Sequence, residues 1–161
     1  MSTQYQMASQ FPPVTLLANA ADAAGRISVY ADLANALKAW IIVKINQGAA
    51  NTVLLSLLQA TSSGGAGSKA VSAVVPIWLD DATATSDALV AQTAATTFTT
   101  DANVADKLVL FEINPETCLD MANGFNHIAV STGASAAANI TSALLIPWNR
   151  IQAASPPTTV A

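Results

Sequence analysis

The chain has one cysteine, Cys118, and one histidine, His127. A single cysteine excludes an internal disulfide and any zinc site built from several thiolates. Beside Leu119 and after a turn, Cys118 is expected to be a small buried side chain. A Ser-His-Asp device has only His127 to be built around, and no G-x-S-x-G turn accompanies it. Lying inside the alternating segment FNHIAV, His127 reads as an ordinary strand residue. Charge is scarce as well: Asp, Glu, Lys and Arg make up 10% of the chain, against roughly 25% in an average soluble domain. Six basic residues face ten acidic ones, for a net charge of −4. That leaves no basic footprint of the kind phosphate binding needs, so nucleic acid is not an expected partner. Although 52% of the residues are hydrophobic, no apolar run approaches the roughly 18–20 residues of a membrane-crossing helix. The first thirteen residues, MSTQYQMASQFPP, lack the basic start and apolar centre of a signal peptide. The expectation is a soluble chain made in a cytoplasm, with no membrane partner.

Motifs that carry chemistry are missing too. The GGAG stretch at 64–67 is not followed by the Lys-Ser/Thr of a phosphate-cradling loop. Asp80, Asp81 and Asp87 gather in one loop region and Asp101 and Asp106 in another. Their spacing does not follow a calcium-binding loop, so they are expected to form turns and carry solvated charge. No catalytic, cofactor-binding or metal-ligating residue is expected, and the chain is not read as an enzyme.

What the sequence has in abundance is Ala, Ser, Thr, Asn and Gln. A free monomer usually keeps its copies apart with a mixed, charged surface. Small uncharged side chains instead cost little to desolvate or order when another protein covers them. This composition favours a protein that works in an assembly.

The organising stretch is Lys38–Ala60, where two apolar runs, KAWIIVKIN and TVLLSLLQA, flank QGAAN. Trp40, Ile41, Ile42, Val43 and Ile45 are strong strand formers. A loop of about five residues containing glycine predicts a β-hairpin, and the apolar centres predict central strands covered on both faces. Further strands are expected over 14–20, 26–31, 69–79, 94–100, 107–113, 125–132 and 140–148. Pro76 marks an edge or a bulge in its strand, and residues 88–95 are compatible with a short helix. Seven to nine short strands between Gly/Ser/Ala/Asn turns, with no βαβ alternation, predict an all-β antiparallel sandwich or barrel, jelly-roll-like. The division is an extended arm over 1–13, the sandwich over 14–150 and a tail over 151–161. The three tryptophans, Trp40, Trp78 and Trp148, each sit within an apolar strand run, which favours core or interface anchoring over a sugar-stacking platform.

The order of features is LLQAT, a Gly/Ser loop, IWLDD, AATTFTT, DKLVLFEI, LDMANGFNHIAVST and SALLIPWNRI. It resembles the β-sandwich head decoration, or cement, proteins of tailed bacteriophages over about two thirds of the chain. That resemblance implies a virion structural protein on the capsid exterior. Its partner would be the major capsid protein lattice, and it would be a homo-oligomer, with a trimer favoured. It transfers no active-site residues. Partner contacts are expected at Tyr5, Phe11, Pro12, Pro156 and Pro157 in the terminal segments, and at Trp148 and Arg150. The alternatives are a tail-tube or head–tail joining protein of the same particle, or a carbohydrate- or receptor-binding module. The module reading predicts an exposed aromatic beside carboxylates, with Trp78 near Asp80 and Asp81 as its best place.

Overall fold

In the computed structural model, residues 7–150 are described. They begin with a helical turn, α1 (Met7–Gln10), closed by the Phe11 amide on the Met7 carbonyl at 2.7 Å. The strands are β1 (Val14–Ala21), β2 (Arg26–Ile27), β3 (Ala31–Asp32), β4 (Ala36–Gln47), β5 (Leu54–Ala60), β6 (Lys69–Ala70), β7 (Val75–Asp80), β8 (Val90–Ala95), β9 (Thr97–Thr99), β10 (Asp106–Ile113), β11 (His127–Thr132) and β12 (Asn139–Asn149). Between β10 and β11 lies a short helix, α2 (Pro115–Cys118), whose cap Asn114 accepts from the Glu116 amide. Two antiparallel sheets pack face to face. The larger has the order β1-β12-β4-β10-β7-β8; the smaller is β2-β11-β5-β6, with β3 also on β11 and β9 also on β5. The fold is the expected all-β sandwich and not a closed barrel. Eight of its strands have six residues or more, within the seven to nine read from the sequence.

The expected hairpin is not there. β4 pairs with β10 and β12 in the larger sheet, whereas β5 pairs with β11 in the smaller one. The connection Gly48–Val53 therefore crosses from one sheet to the other as an arch. The runs on either side face each other through the core, which is how both bury their apolar sides: Ile41, Val43 and Ile45 from β4, Leu55 and Leu57 from β5, all fully buried. Val109, Phe111, Ile128, Val130 and Leu145 complete this layer. Each such side chain contributes about 1.5–3 kcal/mol when removed from water.

Two buried side chains hold the arch: Thr100 Oγ1 accepts from the Val53 amide at 2.9 Å, and Asn139 binds two more of its backbone groups. Asn139 is fully buried. Its Oδ1 accepts from the Ala49 amide at 2.9 Å, and its Nδ2 donates to the Asn51 carbonyl at 2.8 Å and to Ser135 Oγ at 2.9 Å. The backbone packs so closely here that a Cβ on Gly48 would lie 2.6 Å from the Ala138 carbonyl oxygen. Other boundaries also moved. The strand expected over 26–31 is split into β2 and β3, and that over 69–79 into β6 and β7. Residues 90–95 are strand, not helix, and the chain from β8 to β9 changes sheets. Pro76 sits at a register shift between Val75 and Ile77, so the bulge reading holds; β7 itself lies between β10 and β8. The segment expected as an extended arm is helical over Met7–Gln10; residues 1–6 and 151–161 lie outside the described residues.

Polar side chains close this end of the core. Gln47 is buried, donating to the Asp101 carbonyl at 2.7 Å and accepting from Thr100 Oγ1 at 2.9 Å. Lys107 stands on the core side of β10, fully buried, and sends its ammonium out at the end of the sandwich. There Asp81 Oδ1 accepts from it at 2.6 Å and Asp101 Oδ1 is in contact with it. The hydrogen bond from Lys107 holds the Asp101 carboxyl below the usual carboxylate range, aided by the Asn103 amide and against some desolvation. Burial alone pushes Lys107 down, but its hydrogen bonds with Asp101 and Asp81 more than offset this and raise it.

Gly48→Ala should lower unfolding stability by about 2 kcal/mol in a urea titration, because the added methyl meets backbone that cannot move aside. Asp101 is lowered in the folded state, so its share of stability is present above its unfolded value, at about pH 4, and is lost as pH falls through the folded one. The Lys107 share is present below its own unfolded value, at about pH 10, and is lost as pH rises through its raised folded one. Asp81→Asn/Asp101→Asn strands a buried ammonium and should cost about 3 kcal/mol at pH 7, whereas Lys107→Met should change stability by less than about 1 kcal/mol. Denaturant titrations at pH 3 and pH 7 check both, with the Lys107→Met protein expected to lose much of the acid sensitivity.

Candidate functional site

An antiparallel sheet with one solvated face ordinarily turns polar residues outward. The larger sheet does not. In β4 the burial alternates strictly from Ala39 to Gln47, and the outward positions begin with Trp40 and Ile42 before reaching Lys44 and Asn46. β12 turns Leu144, Ile146 and Trp148 outward, and β10 turns Leu108 and Leu110. The register aligns these residues. Thr15 lies opposite Leu144, Leu144 opposite Ile42, Ile42 opposite Leu110, Leu110 opposite Trp78, and Trp78 opposite Ala91. One row of uncharged, mostly apolar side chains thus crosses all six strands, a span of roughly 24 Å at the usual strand spacing of about 4.8 Å. Leu144, second in the row, is 42% exposed. The sequence expectation that the central runs are covered on both faces is corrected here: the second face of β4 is this outer surface, and that of β5 is the outer side of the smaller sheet, because the described residues form two layers.

At the end of the belt nearest the start of β4, three aromatic rings gather. Phe11 follows α1 and lies 6.4 Å from Trp40 and 5.8 Å from Trp148, centroid to centroid, with both pairs tilted. Trp40 and Trp148 stack at 6.5 Å with 12° between planes. A buried indole N–H normally finds an acceptor, but Trp148 Nε1 is buried with none among the described residues. Of the contact residues expected from sequence, Phe11 and Trp148 are therefore brought together, and Pro12 follows Phe11 half-buried. Arg150 is engaged elsewhere: its guanidinium donates to Glu116 Oε1 at 2.5 Å and its amide to the Asn35 carbonyl at 2.8 Å. It ties the end of β12 to α2, through an exposed pair of small energetic weight. Tyr5, Pro156 and Pro157 lie outside the described residues.

Polar groups rim the belt. Asn46 Nδ2 donates to Asp106 Oδ1 at 2.6 Å, beside Lys44 and Asn19 in a shallow hollow. On the aromatic side a groove of about 350 Å³ is lined by Lys38, Trp40, Pro76, Glu112 and Asn114. Trp78 does not meet Asp80 and Asp81 as the module reading expected; its Nε1 donates to Glu112 Oε1 at 3.1 Å. Asp80 is buried, accepting from the Ala82 amide as a turn former, and Asp81 serves Lys107.

The residues singled out for chemistry take structural places. His127 is half-buried on β11, its Nδ1 2.8 Å from Asn126 Oδ1. Cys118 is buried, and desolvation pushes its thiol up to about 11, which keeps it protonated and unreactive. On the smaller sheet, Lys69 lies 3.9 Å over the Phe125 ring and donates to Asp120 at 2.9 Å. That bond, with one from Asn123, lowers the Asp120 carboxyl. Sequence reasoning missed Ile42, Leu110 and Leu144 as surface residues. The signal was present in strands apolar on both faces within a chain long enough for only two layers.

No family model, curated protein or solved structure matches this chain.

Proposed function

We propose that this chain is a structural protein of a virus particle, a decoration subunit that binds the outside of an assembled capsid lattice and braces it. The observation that carries the docking part of this reading is the apolar belt on the outer face of the larger sheet. A contiguous apolar surface rimmed by polar groups marks a macromolecular interaction site. A charge content of 10% adds little desolvation cost when another protein covers the surface. The particle itself is inferred from the sequence resemblance to phage cement proteins, an order of strand-like segments over about two thirds of the chain. Many such contacts repeated over a lattice add up by avidity, so each can be individually weak. Trp40, Trp148 and Phe11 provide a rigid anchor at one end of the belt, of the kind that dominates interface energetics.

A second reading is a glycan-binding module. The groove beside Trp40, with Glu112, Lys38 and Asn114 along it, combines an aromatic face with hydrogen-bonding groups.

Co-sedimentation with assembled capsid shells tests the first reading, with free capsid subunits as the comparison. Saturable binding to shells alone supports decoration. Ile42→Lys/Leu144→Lys should leave the sandwich folded, because both positions face outward, and should weaken shell binding roughly a hundred-fold by placing charges in the interface centre. Rings or tubes without shell binding point to the tail of the particle. Indifference to shells together with retention on a glycan array points to the module.

A further inference from the structure

Four strand ends bound the two sheets, and they are protected unequally. A sheet edge exposes unpaired backbone groups to any passing chain; proteins that stay monomeric blunt it with very short strands, bulges, charges or covering groups. The smaller sheet is edged by β2, β3, β6 and β9, each of two or three residues. In the larger sheet, β1 is long but broken by two register shifts against β12. Its alternate carbonyls are also occupied: Leu16 by the Val29 amide at 3.2 Å, and Ala18 and Ala20 by the Arg26 guanidinium at 2.7 and 2.8 Å. Arg26 is in turn fixed by the buried Asp22 at 2.9 Å.

The opposite edge, β8, shares one bulge with this pattern, but no side chain of another element occupies its carbonyls among the described residues. It is six residues long, pairs with β7 on one side and with no strand on the other among the described residues. Its in-register part, Val90–Gln92, is followed by a bulge. No charged residue occurs between Asp87 and Asp101. Val90 is 59% exposed, and its chain neighbour Leu89 is exposed as well. The side-chain bond to its backbone comes from its own Gln92, whose Nε2 donates to the Val90 carbonyl at 3.1 Å; an incoming strand can displace it.

We infer that the free edge of β8 is a strand-pairing seam through which two copies of this chain join their larger sheets into one. A second copy is the occupant that fits. Antiparallel pairing of β8 with itself brings no charge against like charge, and it sets the exposed apolar side chains of the two copies beside one another. Ala91 is the last residue of the apolar belt, so the seam also makes the belts of two copies continuous. The contact is isologous and produces a dimer, unlike the trimer that the phage resemblance implies, and it does not depend on the particle assignment.

Sedimentation velocity of the full chain over a concentration series tests the seam. A species with the mass of two chains is expected, and Val90→Lys/Ala91→Lys should weaken it roughly ten-fold or more through lysines facing each other across the pair, with the melting temperature of the monomer preserved. Single cysteines placed in turn at Val90, Ala91, Gln92 and Thr93 give a second readout that needs no destabilising charge. The position nearest the two-fold axis should cross-link two chains under mild oxidation, whereas a cysteine at Ala18 on β1 should not; the native Cys118 is buried and stays silent. A chain that remains monomeric at every concentration overturns the seam. So does association that survives the lysines, including a trimer, or cross-linking no better from β8 than from β1.

Discussion

Two apolar strands that are neighbours in sequence face each other across the core because the buried Asn139 fixes the chain between them on a path that crosses the sandwich. Its amide and carbonyl each meet a backbone partner on the arch, at Asn51 and Ala49. Leaving those groups unpaired in the interior would cost far more than the bonds contribute. With the arch in place, β4 is free to lie between β10 and β12 and β5 to take β11. The inward residues of both sheets then form one core cluster. The same crossing makes the fold non-local, since β4 finds β10 and β12, and β5 finds β11, dozens of residues away.

The arrangement leaves β4 with a second face, and that face gives the domain its surface character. In a two-layer sandwich the outer side of a central strand meets solvent or another molecule. Here it carries Trp40 and Ile42 opposite Ile146, Leu144 and Leu110. The apolar belt, the stacked indoles and the edge strand β8 lie on one sheet. The smaller sheet, with its short edges and its Lys69–Asp120–Phe125 cluster, is the better protected side of the molecule. The apolar row thus lies on the larger sheet and the ion-pair cluster on the smaller one.

Charge, although sparse, is used at the margins of the core. Lys107 packs its stem among apolar neighbours and delivers its ammonium to two half-exposed carboxylates, as amphipathic side chains do where a core meets water. Asp22 similarly is buried and satisfied by Arg26 and Thr141 Oγ1. Both sets join loops distant in sequence to strand ends, and both seal the end of the sandwich where the arch crosses.

Much of this was legible in the sequence. β-branched runs, turn clusters and the absence of long helical periodicity determined an all-β chain, and the last strand, β10 and β1 fall where alternation placed them. Phe11 and Trp148 were singled out from the sequence for partner contact, and the structure sets their rings beside each other. The pairing of the strands was not legible. Gln47–Asn51 suits a hairpin loop as well as an arch, and the choice rests on Asn139 and Ala138, ninety residues further on. Nor could the sequence show which apolar residues would remain outside. Ile41 and Ile42 are alike as residues; only the packing of the second sheet against one face of β4 buries the first and leaves the second at the surface. Local propensity determines that a segment is extended, because it acts within a few residues. Partner, face and exposure are decided by tertiary structure, because they depend on which distant groups complete the hydrogen bonds and exclude the water.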